Sequence, residues 1–250
     1  MKTSAFLVAV AAVFASAACN AEKGNDSASA ASSAPVQAVP PPAGGDWSQV
    51  VAATPAGGFQ MGNPNASVKL VEYGSMTCPH CREFDETGVQ PLIDKYVKTG
   101  RVSFEFRNYV RDPYDLASAL IARCNGAQGF FPLTRAMFKD QPKWMARLQT
   151  TTPEQQQALA GLGPDRQFIE VAKLAGFQQW AAQRGIPSAK SSACLSNEAE
   201  INRLVQMTSD AGTEFPQFPG TPSFTLNGKL LERSGTWEAL EPQLREAVGG

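Results

Sequence analysis

Apolar and polar positions along the chain change their period several times, and each change predicts an element. Residues 68–73 are apolar and β-branched enough for a buried strand, and residues 101–106 alternate as a second strand does. The residues from Arg82 to Val97 carry apolar positions at helical spacing, and Gly100 closes this helix. Strand, helix and strand in this order predict a right-handed βαβ unit with parallel strands.

About a hundred residues in the middle of the chain show helical patterns only. The first predicted helix there is capped by Asp112, has Pro113 at its first position and ends at Asn125-Gly126. Four more helices are predicted, at Phe130–Leu148, after Thr152, at Phe168–Arg184 and after Ser196.

A strand pattern returns near the end of the chain. Residues 222–226 and 229–231 flank Asn227-Gly228, the strongest two-residue hairpin signal. A last helix is predicted from Trp237 to Val248, and an edge strand is predicted at residues 59–62. The whole order is βαβ, a helical insertion and then ββα, which predicts an α/β fold.

The N-terminal residues differ in composition from the rest. Lys2 precedes an apolar run, Ala5–Ala15, which is too short to span a bilayer and leads into small residues before Cys19. Residues 1–19 are therefore predicted to be an export signal, with the mature protein in an oxidising compartment. Residues 20–46, rich in Ala, Ser, Pro and Gly, are predicted to be a flexible linker.

Two interpretations of Cys19 remain open. It is either incidental, beside an Ala-x-Ala cleavage point at residues 15–17, or the lipid-bearing first residue of a bacterial lipoprotein. Residues 16–19 resemble a lipobox, although Ser16 stands where Leu is usual. The linker composition favours lipidation, and so does cysteine parity, because removing Cys19 leaves four cysteines and hence two pairs.

Composition and charge exclude some classes of function. The chain has 250 residues and a formal net charge of −1, so nothing in its charge balance suggests nucleic acid. Its hydrophobic content of 43% suffices for an ordinary core. No other segment of the sequence is long and apolar enough to be transmembrane.

Candidate chemistry lies at the tetrapeptide Cys78-Pro79-His80-Cys81, where strand 68–73 gives way to the helix. Two cysteines at this spacing can close a small disulfide, and a helix N-terminus favours the thiolate of the first sulfur. We expect Cys78 to be the exposed nucleophile and Cys81, one turn inside, to be the buried resolving thiol. His80, the only histidine, is expected to stabilise the Cys78 thiolate through its ring or its backbone N–H; the alternative is a solvent-exposed helix residue. Pro79 suits the first helical position.

The other cysteines bear on metal binding and stability. Half a zinc site is the alternative interpretation of Cys78 and Cys81, but zinc needs four ligands and the sequence has no second Cys-x-x-Cys and no further histidine. We therefore expect no metal, and no cofactor besides the Cys78–Cys81 disulfide. Cys124 and Cys194 remain, and we predict that they form a structural disulfide enclosing about 70 residues, worth roughly 4 kcal/mol.

The element order with Cys-x-x-Cys after the first core strand is that of a thioredoxin fold. The long helical block and the Pro-His dipeptide resemble bacterial DsbA-type thiol:disulfide oxidoreductases, as do Glu72, six residues before Cys78, and Gly220-Thr221-Pro222 at the start of the hairpin. The resemblance covers roughly Phe59 to Gly250, the whole folded part.

The resemblance implies a thioredoxin-like domain built from residues 47–112 and 213–250. An all-helical domain, residues 113–212, is inserted between the βαβ and ββα halves.

The resemblance also implies roles for residues outside the cysteine motif. Pro222 is implied to be cis in a loop against the cysteine pair, with the backbone of Thr221 able to pair with an extended substrate peptide. Glu72 is implied to be a buried acid that helps to move the proton of Cys81; the alternative is a glutamate pointing at solvent. We expect Arg107, on the neighbouring strand, to be its partner. Thr221 stands where the best-known DsbA oxidases carry Val, and Thr is common there in isomerase and reductase relatives.

The function implied is that of an exported dithiol oxidase of the periplasm, which forms disulfides in other proteins by exchange through Cys78–Cys81. Its implied partners are cysteine-containing unfolded or secreted proteins and a membrane quinone-linked protein that reoxidises the pair. One alternative is a periplasmic disulfide isomerase or reductase, although such isomerases usually dimerise through an N-terminal domain where this chain has a low-complexity linker. Another is a non-catalytic thioredoxin-fold binding module, against which the intact cysteine pair argues.

Overall fold

The computed structural model describes residues 35–42 and 45–250. The predicted export signal, Cys19 and most of the predicted linker lie outside these residues. Within them, the strands are β1 (Val51–Ala53), β2 (Phe59–Met61), β3 (Val68–Gly74), β4 (Val102–Asn108), β5 (Ser223–Leu226) and β6 (Lys229–Leu230). They form one mixed sheet in the order β1-β2-β4-β3-β5-β6.

The centre of the sheet is the predicted βαβ unit. β3 and β4 are parallel, in register from Val68 opposite Val102 to Gly74 opposite Asn108, and β5 joins the other side of β3 antiparallel. β2 is not the edge strand that we predicted, because it pairs with both β1 and β4. The sequence did not reveal β1 because it has only three residues and none of them is fully buried.

A long helical segment connects β3 to β4 and carries the cysteine motif. It consists of α1 (Pro79–Phe84), a π turn (Asp85–Val89), α2 (Gln90–Leu92) and a second π turn (Ile93–Val97). Its apolar face is buried against the sheet, where the Phe84 ring lies 4.7 Å from the ring of Phe224 on β5. Burial of a side chain as large as phenylalanine contributes about 1.5–3 kcal/mol.

The middle of the chain is helical, as the pattern predicts. Its helices are α3 (Pro113–Arg123), α4 (Gly126–Lys139), α5 (Gln141–Gln149), α6 (Pro153–Ala160), α7 (Pro164–Ala175), α8 (Phe177–Ala182), α9 (Ser188–Leu195) and α10 (Glu198–Glu214). The chain then returns to the sheet for β5 and β6, which Asn227-Gly228 joins with positive φ at both residues, and ends with α11 (Trp237–Ala247).

Two of the predicted helices are each divided in the structure. The helix predicted over 130–148 is α4 and α5, which meet at Asp140 outside helical geometry. The helix predicted over 168–184 is α7 and α8, separated by Gly176 with a φ of 76°. The positive φ favours glycine at this position, and a Cβ here would also displace the flexible guanidinium of Arg147.

Buried aromatic rings join the helical insertion to the sheet. Phe130 of α4 is fully buried, and its ring centroid lies 4.4 Å from that of Phe59 on β2 and 5.8 Å from that of Phe106 on β4. Because these rings belong to one continuous hydrophobic core, the insertion is packed directly against the sheet that carries the cysteines.

The described part of the predicted linker is not free of the folded domain. Val36 N–H donates to the Val248 carbonyl over 2.9 Å, and Val39 N–H donates to the Thr99 carbonyl over 2.9 Å. Trp47 Nε1 in turn donates to the Val39 carbonyl over 2.8 Å. Backbone pairing and the apolar Val36 side chain therefore hold residues 35–39 on the domain, which composition alone did not indicate. Within the described residues, no helix has the length and apolar character needed to cross a membrane.

Candidate active site

The cysteine pair lies at the junction of β3 and α1. Cys78 has extended backbone angles and is the N-cap residue of α1, with Pro79 next and Cys81 in the first turn. Cys81 is 0% exposed, as expected for the inner sulfur. Cys78 is only 3% exposed, so our expectation of an exposed residue was wrong. The reason is a loop from the other half of the fold, whose Thr221 carbonyl accepts a hydrogen bond from Cys78 Sγ over 3.1 Å.

That covering loop contains the cis peptide bond Thr221-Pro222 and precedes β5. Aromatic rings support its beginning, since Phe218 stacks on Tyr109 with ring centroids 4.7 Å apart and lies edge-on to Tyr73. The hydroxyl oxygen of Thr221 is buried and, while Cys78 is protonated, has no hydrogen-bond partner among the described residues, which leaves it able to donate to the Cys78 thiolate. The loop therefore brings both a carbonyl acceptor and an unpartnered hydroxyl to the cysteine pair.

The surroundings of Cys78 favour its thiolate. A hydrogen bond from Cys81 has the largest effect and, with further hydrogen bonds from Thr221 and from the backbone of Cys81 and His80, lowers the pKa of Cys78 to about 5, although burial opposes this. The Thr221 carbonyl can only accept from the protonated thiol, so it is the hydroxyl of Thr221 that can stabilise the thiolate.

His80 acts on this sulfur through its backbone. The imidazole is 74% exposed, and its Nδ1 lies 3.6 Å from a carboxylate oxygen of Glu83. Of the two routes that the sequence left open, the ring and the backbone N–H, the backbone is therefore the one that reaches Cys78.

The environment of Cys81 has the opposite effect. Burial, the hydrogen bond that its thiol gives to Cys78, and the charges of Glu72 and Cys78 raise the pKa of Cys81 well above its usual range. The backbone N–H of Ser75 donates to Cys81 Sγ over 3.4 Å and opposes this shift. The two sulfurs thus differ strongly in acidity, with the thiolate localised on Cys78.

Glu72 lies in the interior and does not point at solvent. It is 2% exposed, and burial, with smaller contributions from the charges of Asp85 and Cys78, raises its pKa well above the usual range. Arg107 is not its partner, contrary to our expectation. The reason is the strand register, which places Arg107 beside Tyr73 and therefore on the sheet face opposite to Glu72.

Arg107 instead forms an ion pair with Glu105 on its own strand over 2.8 Å and donates to the Tyr73 hydroxyl over 3.1 Å.

Two polar residues of the helical insertion, which sequence reasoning missed, hold the loop before Cys78. Gln141 Nε2 donates to the carbonyls of Met76 and Cys78 over 2.8 and 2.9 Å. Asp115 accepts from the Ser75 hydroxyl over 2.6 Å and from Met76 N–H over 2.8 Å. The only signal in the sequence is a polar side chain at the start of a helix, which is ordinary, so these contacts depend on how the helices pack.

The remaining cysteines form a disulfide within the insertion. Cys124, at the end of α3, is joined to Cys194 of α9, with a Cα–Cα distance of 5.6 Å and 70 residues of sequence separation. The bond therefore ties the beginning of the helical insertion to its last third.

A family model described as thioredoxin matches residues 54–246. Since this is more than half of the chain, the chain belongs to the thioredoxin family. Its fold is an α/β thioredoxin fold with a helical insertion, which DsbA-type structures share.

Individual relatives agree with this assignment. A protein-disulfide isomerase from Novosphingobium aromaticivorans is 34% identical with a TM-score of 0.73, and the match covers 76% of this chain and 97% of that one. The fold also matches α-DsbA1 of Wolbachia pipientis, with a TM-score of 0.59 at 19% identity over 79% of this chain and 94% of the other. A putative protein-disulfide oxidoreductase of Rickettsia prowazekii is 28% identical over 173 residues, or 69% of this chain, which spans 55% of that relative's length.

Proposed function

We propose that this protein is an exported thiol–disulfide oxidase that forms disulfides in other proteins through its Cys78–Cys81 pair. The carrying observation is the difference in acidity between the two sulfurs, with the pKa of Cys78 near 5 and that of Cys81 far above the usual range. A stabilised Cys78 thiolate stabilises the reduced protein, so the oxidised form passes its disulfide on readily.

The reaction proceeds by two successive thiol–disulfide exchanges. A substrate thiolate attacks Cys78 Sγ, a bond forms between the two sulfurs, and the Cys78–Cys81 bond breaks with its electron pair leaving on Cys81. The second substrate thiolate then attacks its own partner sulfur and releases Cys78 as a thiolate. The substrate loses two electrons and the protein gains them. The low pKa of Cys78 makes it a good leaving group in this second exchange.

Glu72 serves the proton balance at the inner sulfur. Cys81 leaves as a thiolate but holds a proton at equilibrium, because its pKa is raised so far. Glu72 is buried near enough for its charge to affect the Cys81 pKa, and burial raises the pKa of its carboxyl well above the usual range, which favours the protonated form. It donates that proton when Cys81 leaves and accepts it when Cys81 must attack.

Export and reoxidation rest on the sequence and on the family resemblance. The signal-like residues 1–19 support a periplasmic location, and lipid at Cys19 would attach the protein to a membrane. Substrates are cysteine-containing unfolded or secreted proteins, and a membrane quinone-linked protein restores the disulfide. Cell fractionation of the full chain and its Cys19→Ala variant tests the anchor, since only the parent is expected in the membrane fraction.

A disulfide isomerase is the second candidate, and specific observations favour it. The 34% identical relative is named a protein-disulfide isomerase, and Thr221 precedes the cis-proline here. An isomerase must attack existing disulfides and therefore works from the reduced state. An oxidase works from the disulfide state.

Two measurements on the purified protein separate these functions. Equilibration with glutathione buffers gives the potential of the Cys78–Cys81 couple, which we expect to be more positive than roughly −180 mV. The oxidised protein should also oxidise a reduced, unfolded substrate stoichiometrically. The reduced protein should be slow to rescue, that is to reactivate, a substrate whose disulfides are mispaired. A potential near roughly −270 mV, in the thioredoxin range, or rescue faster than oxidation would overturn the oxidase assignment. A Cys78→Ser/Cys81→Ser variant is the control for both assays.

A further inference from the structure

The short loop between β3 and α1, residues 75–77, delivers one hydrogen bond to the inner sulfur. Ser75 is fully buried, and its backbone N–H donates to Cys81 Sγ over 3.4 Å. A donor at this position stabilises negative charge on Cys81, and that charge is present whenever the sulfur leaves or attacks. The direction of the Ser75 N–H therefore matters for the rate of exchange.

A buried carboxylate from the helical insertion holds this loop. Asp115 of α3 is 1% exposed, and its two oxygens accept from the Ser75 hydroxyl over 2.6 Å and from Met76 N–H over 2.8 Å. Arg111 also holds the loop. Its Nε donates to Ser75 Oγ over 2.8 Å, and its Nη2 donates to Thr77 Oγ1 over 2.7 Å. All three loop residues are thus tied to Arg111 and Asp115, which lie four residues apart at the start of α3.

Retaining this carboxylate has a cost in stability. Burial raises the pKa of Asp115 to about 6, against the lowering effect of the hydrogen bond from Ser75. A buried polar group with this many directed contacts fixes local geometry, whereas an apolar residue in its place would pack without specifying the loop.

We propose that Asp115 is a positioning residue that sets the reactivity of Cys81 by fixing the Ser75 N–H on its sulfur. This proposal rests on the thiol–disulfide exchange proposed above. Asp115 does not touch the reacting atoms, so its effect passes through the loop. Gln141 supports the same loop from α5 through the Met76 and Cys78 carbonyls.

The step that reports on this geometry is attack by Cys81 on a mixed disulfide. When the reduced protein meets oxidised glutathione, Cys78 takes one glutathione sulfur and the other leaves as a thiolate. Cys81 then attacks Cys78 Sγ, the Cys78–glutathione bond breaks, and the second glutathione leaves with its electron pair. Stopped-flow measurement of this second step against pH gives both its rate and the apparent pKa of Cys81.

The charged and titratable groups that face these residues are few. Cys78 on α1 and Glu72 on β3 face Cys81, while Arg111 and Asp112 face Asp115. The variants below keep all four of these groups. Asp115→Ala removes a carboxyl with a pKa of about 6, whereas Ser75→Ala keeps it, so the change in the pH profile that the two variants share arises from the loop.

We expect Asp115→Ala to slow the second step about tenfold at pH 7 and to raise the apparent pKa of Cys81, since a hydrogen bond to a charged group is weakened. Ser75→Ala, which keeps the N–H but loses the link to Asp115, should give a smaller slowing in the same direction. The midpoint of Cys78 ionisation should stay where it is, because Asp115 does not contact that sulfur. Ser118→Ala is the matched control. It removes a buried hydroxyl from α3 that donates only to the backbone carbonyl of Asp115 and makes no hydrogen bond to loop residues 75–77.

An unchanged rate and pH profile in both Asp115→Ala and Ser75→Ala would overturn the proposal. Equal slowing in Ser118→Ala would also overturn it, because loss of stability would then explain the effect. Asp115→Asn keeps an acceptor at nearly the same volume and gives a folded variant if Asp115→Ala does not fold. The measurement is independent of the oxidase assignment, since a reductase or isomerase would form the same mixed disulfide; failure of the proposed function would show instead in the potential of the unaltered protein.

Discussion

The sulfur of Cys78 donates a hydrogen bond to the carbonyl oxygen of Thr221 over 3.1 Å, although 143 residues separate them in sequence. Cys78 belongs to the βαβ half of the fold and Thr221 to the ββα half, on the two sides of the helical insertion. This contact lies over the first sulfur, and Cys78 is 3% exposed. The proposed exchange therefore predicts that a substrate approaches Cys78 along the Thr221 backbone, where an extended peptide could pair.

The acidity of Cys78 gives the first prediction. Thiolate absorbance against pH should show a midpoint near 5, because hydrogen bonds from Cys81 and Thr221 and from backbone N–H groups favour the thiolate. Cys81→Ala should move this midpoint upward, since the hydrogen bond from Cys81 has the largest effect. Cys78→Ala should abolish the transition. A midpoint near the ordinary value of about 8.5 would contradict both the geometry and the oxidase proposal.

The difference in acidity between the two sulfurs predicts which variant captures substrates. Cys81→Ala should accumulate mixed disulfides through Cys78, because the internal thiol that would resolve them is missing. Cys78→Ala should not, since the remaining Cys81 is fully buried and its raised pKa disfavours the thiolate that exchange requires. Non-reducing gels of cells that express each variant show the result. Equal capture by both variants would reverse the assigned roles of the two cysteines.

Pro222→Ala should likewise prolong such complexes, because it changes the loop whose Thr221 carbonyl lies over Cys78, where the proposed exchange releases the substrate. The same gels, followed over time after addition of a thiol, measure the lifetime of the complexes. Lifetimes equal to those of the parent protein would exclude a role for this loop in release.

Ionisation of Cys78 also predicts how stability depends on redox state. A depressed pKa contributes stability that is fully present above the unfolded pKa of about 8.5 and is lost as the pH falls through the folded value of about 5. In the oxidised protein this cysteine does not titrate. The free energy of unfolding of the reduced form, minus that of the oxidised form, should therefore increase between these pH values by up to about 1.4 kcal/mol per unit. Denaturant unfolding at several pH values would contradict this if the difference were constant.

The sequence predicted the parts of the fold that depend on local pattern. Strand periodicity identified β3 and β4, and Asn227-Gly228 identified the hairpin, because alternation and turn chemistry act over a few residues. The division at Gly176 was missed because a single glycine within an apolar periodic stretch has no unique interpretation, and its left-handed conformation is not visible in the pattern.

At the site, the cysteine motif could be predicted from the sequence, but the residues that hold it in place could not. The cysteine motif lies within four consecutive residues, so its position at a helix start follows from the pattern. Asp115 and Gln141 reach the site only because α3 and α5 pack against the loop before Cys78. The burial of Cys78 likewise depends on Thr221, which comes from the far end of the chain.

The disulfide of the insertion predicts a loss of stability when it is removed. Replacing Cys124 and Cys194 together by serine should lower the free energy of unfolding by about 4 kcal/mol, because the bond closes a loop of 70 residues that the unfolded chain would otherwise leave free. Both proteins must be compared with Cys78–Cys81 in the same redox state. Peptide mapping without reductant checks the premise, and two free thiols at these positions would contradict it.

Replacing the buried acid Glu72 should raise stability, in contrast to removing the disulfide. Glu72 has a pKa far above its unfolded value of about 4.3, so the folded state is penalised as the pH rises through this range and is unpenalised below it. Glu72→Gln should therefore raise the free energy of unfolding at pH 7 by roughly 1–3 kcal/mol, and the gain should disappear near pH 4. Asp115, whose pKa is also raised, is present in both proteins and cancels from the difference, whereas the repulsion between Asp85 and the Glu72 charge is relieved and adds to the gain.

A control from the neighbouring strand distinguishes this effect from a general response to removing a carboxylate. Glu105 is also buried, but it is paired with Arg107 over 2.8 Å and accepts from the Thr54 hydroxyl over 2.6 Å, so Glu105→Gln should lose stability at pH 7. Exchange with glutathione should slow in Glu72→Gln alone, because glutamine cannot give or take the proton of Cys81. A Glu72→Gln variant that is less stable than the parent at pH 7, or that exchanges at the parent rate, would show that this acid serves the fold and not the cysteine pair.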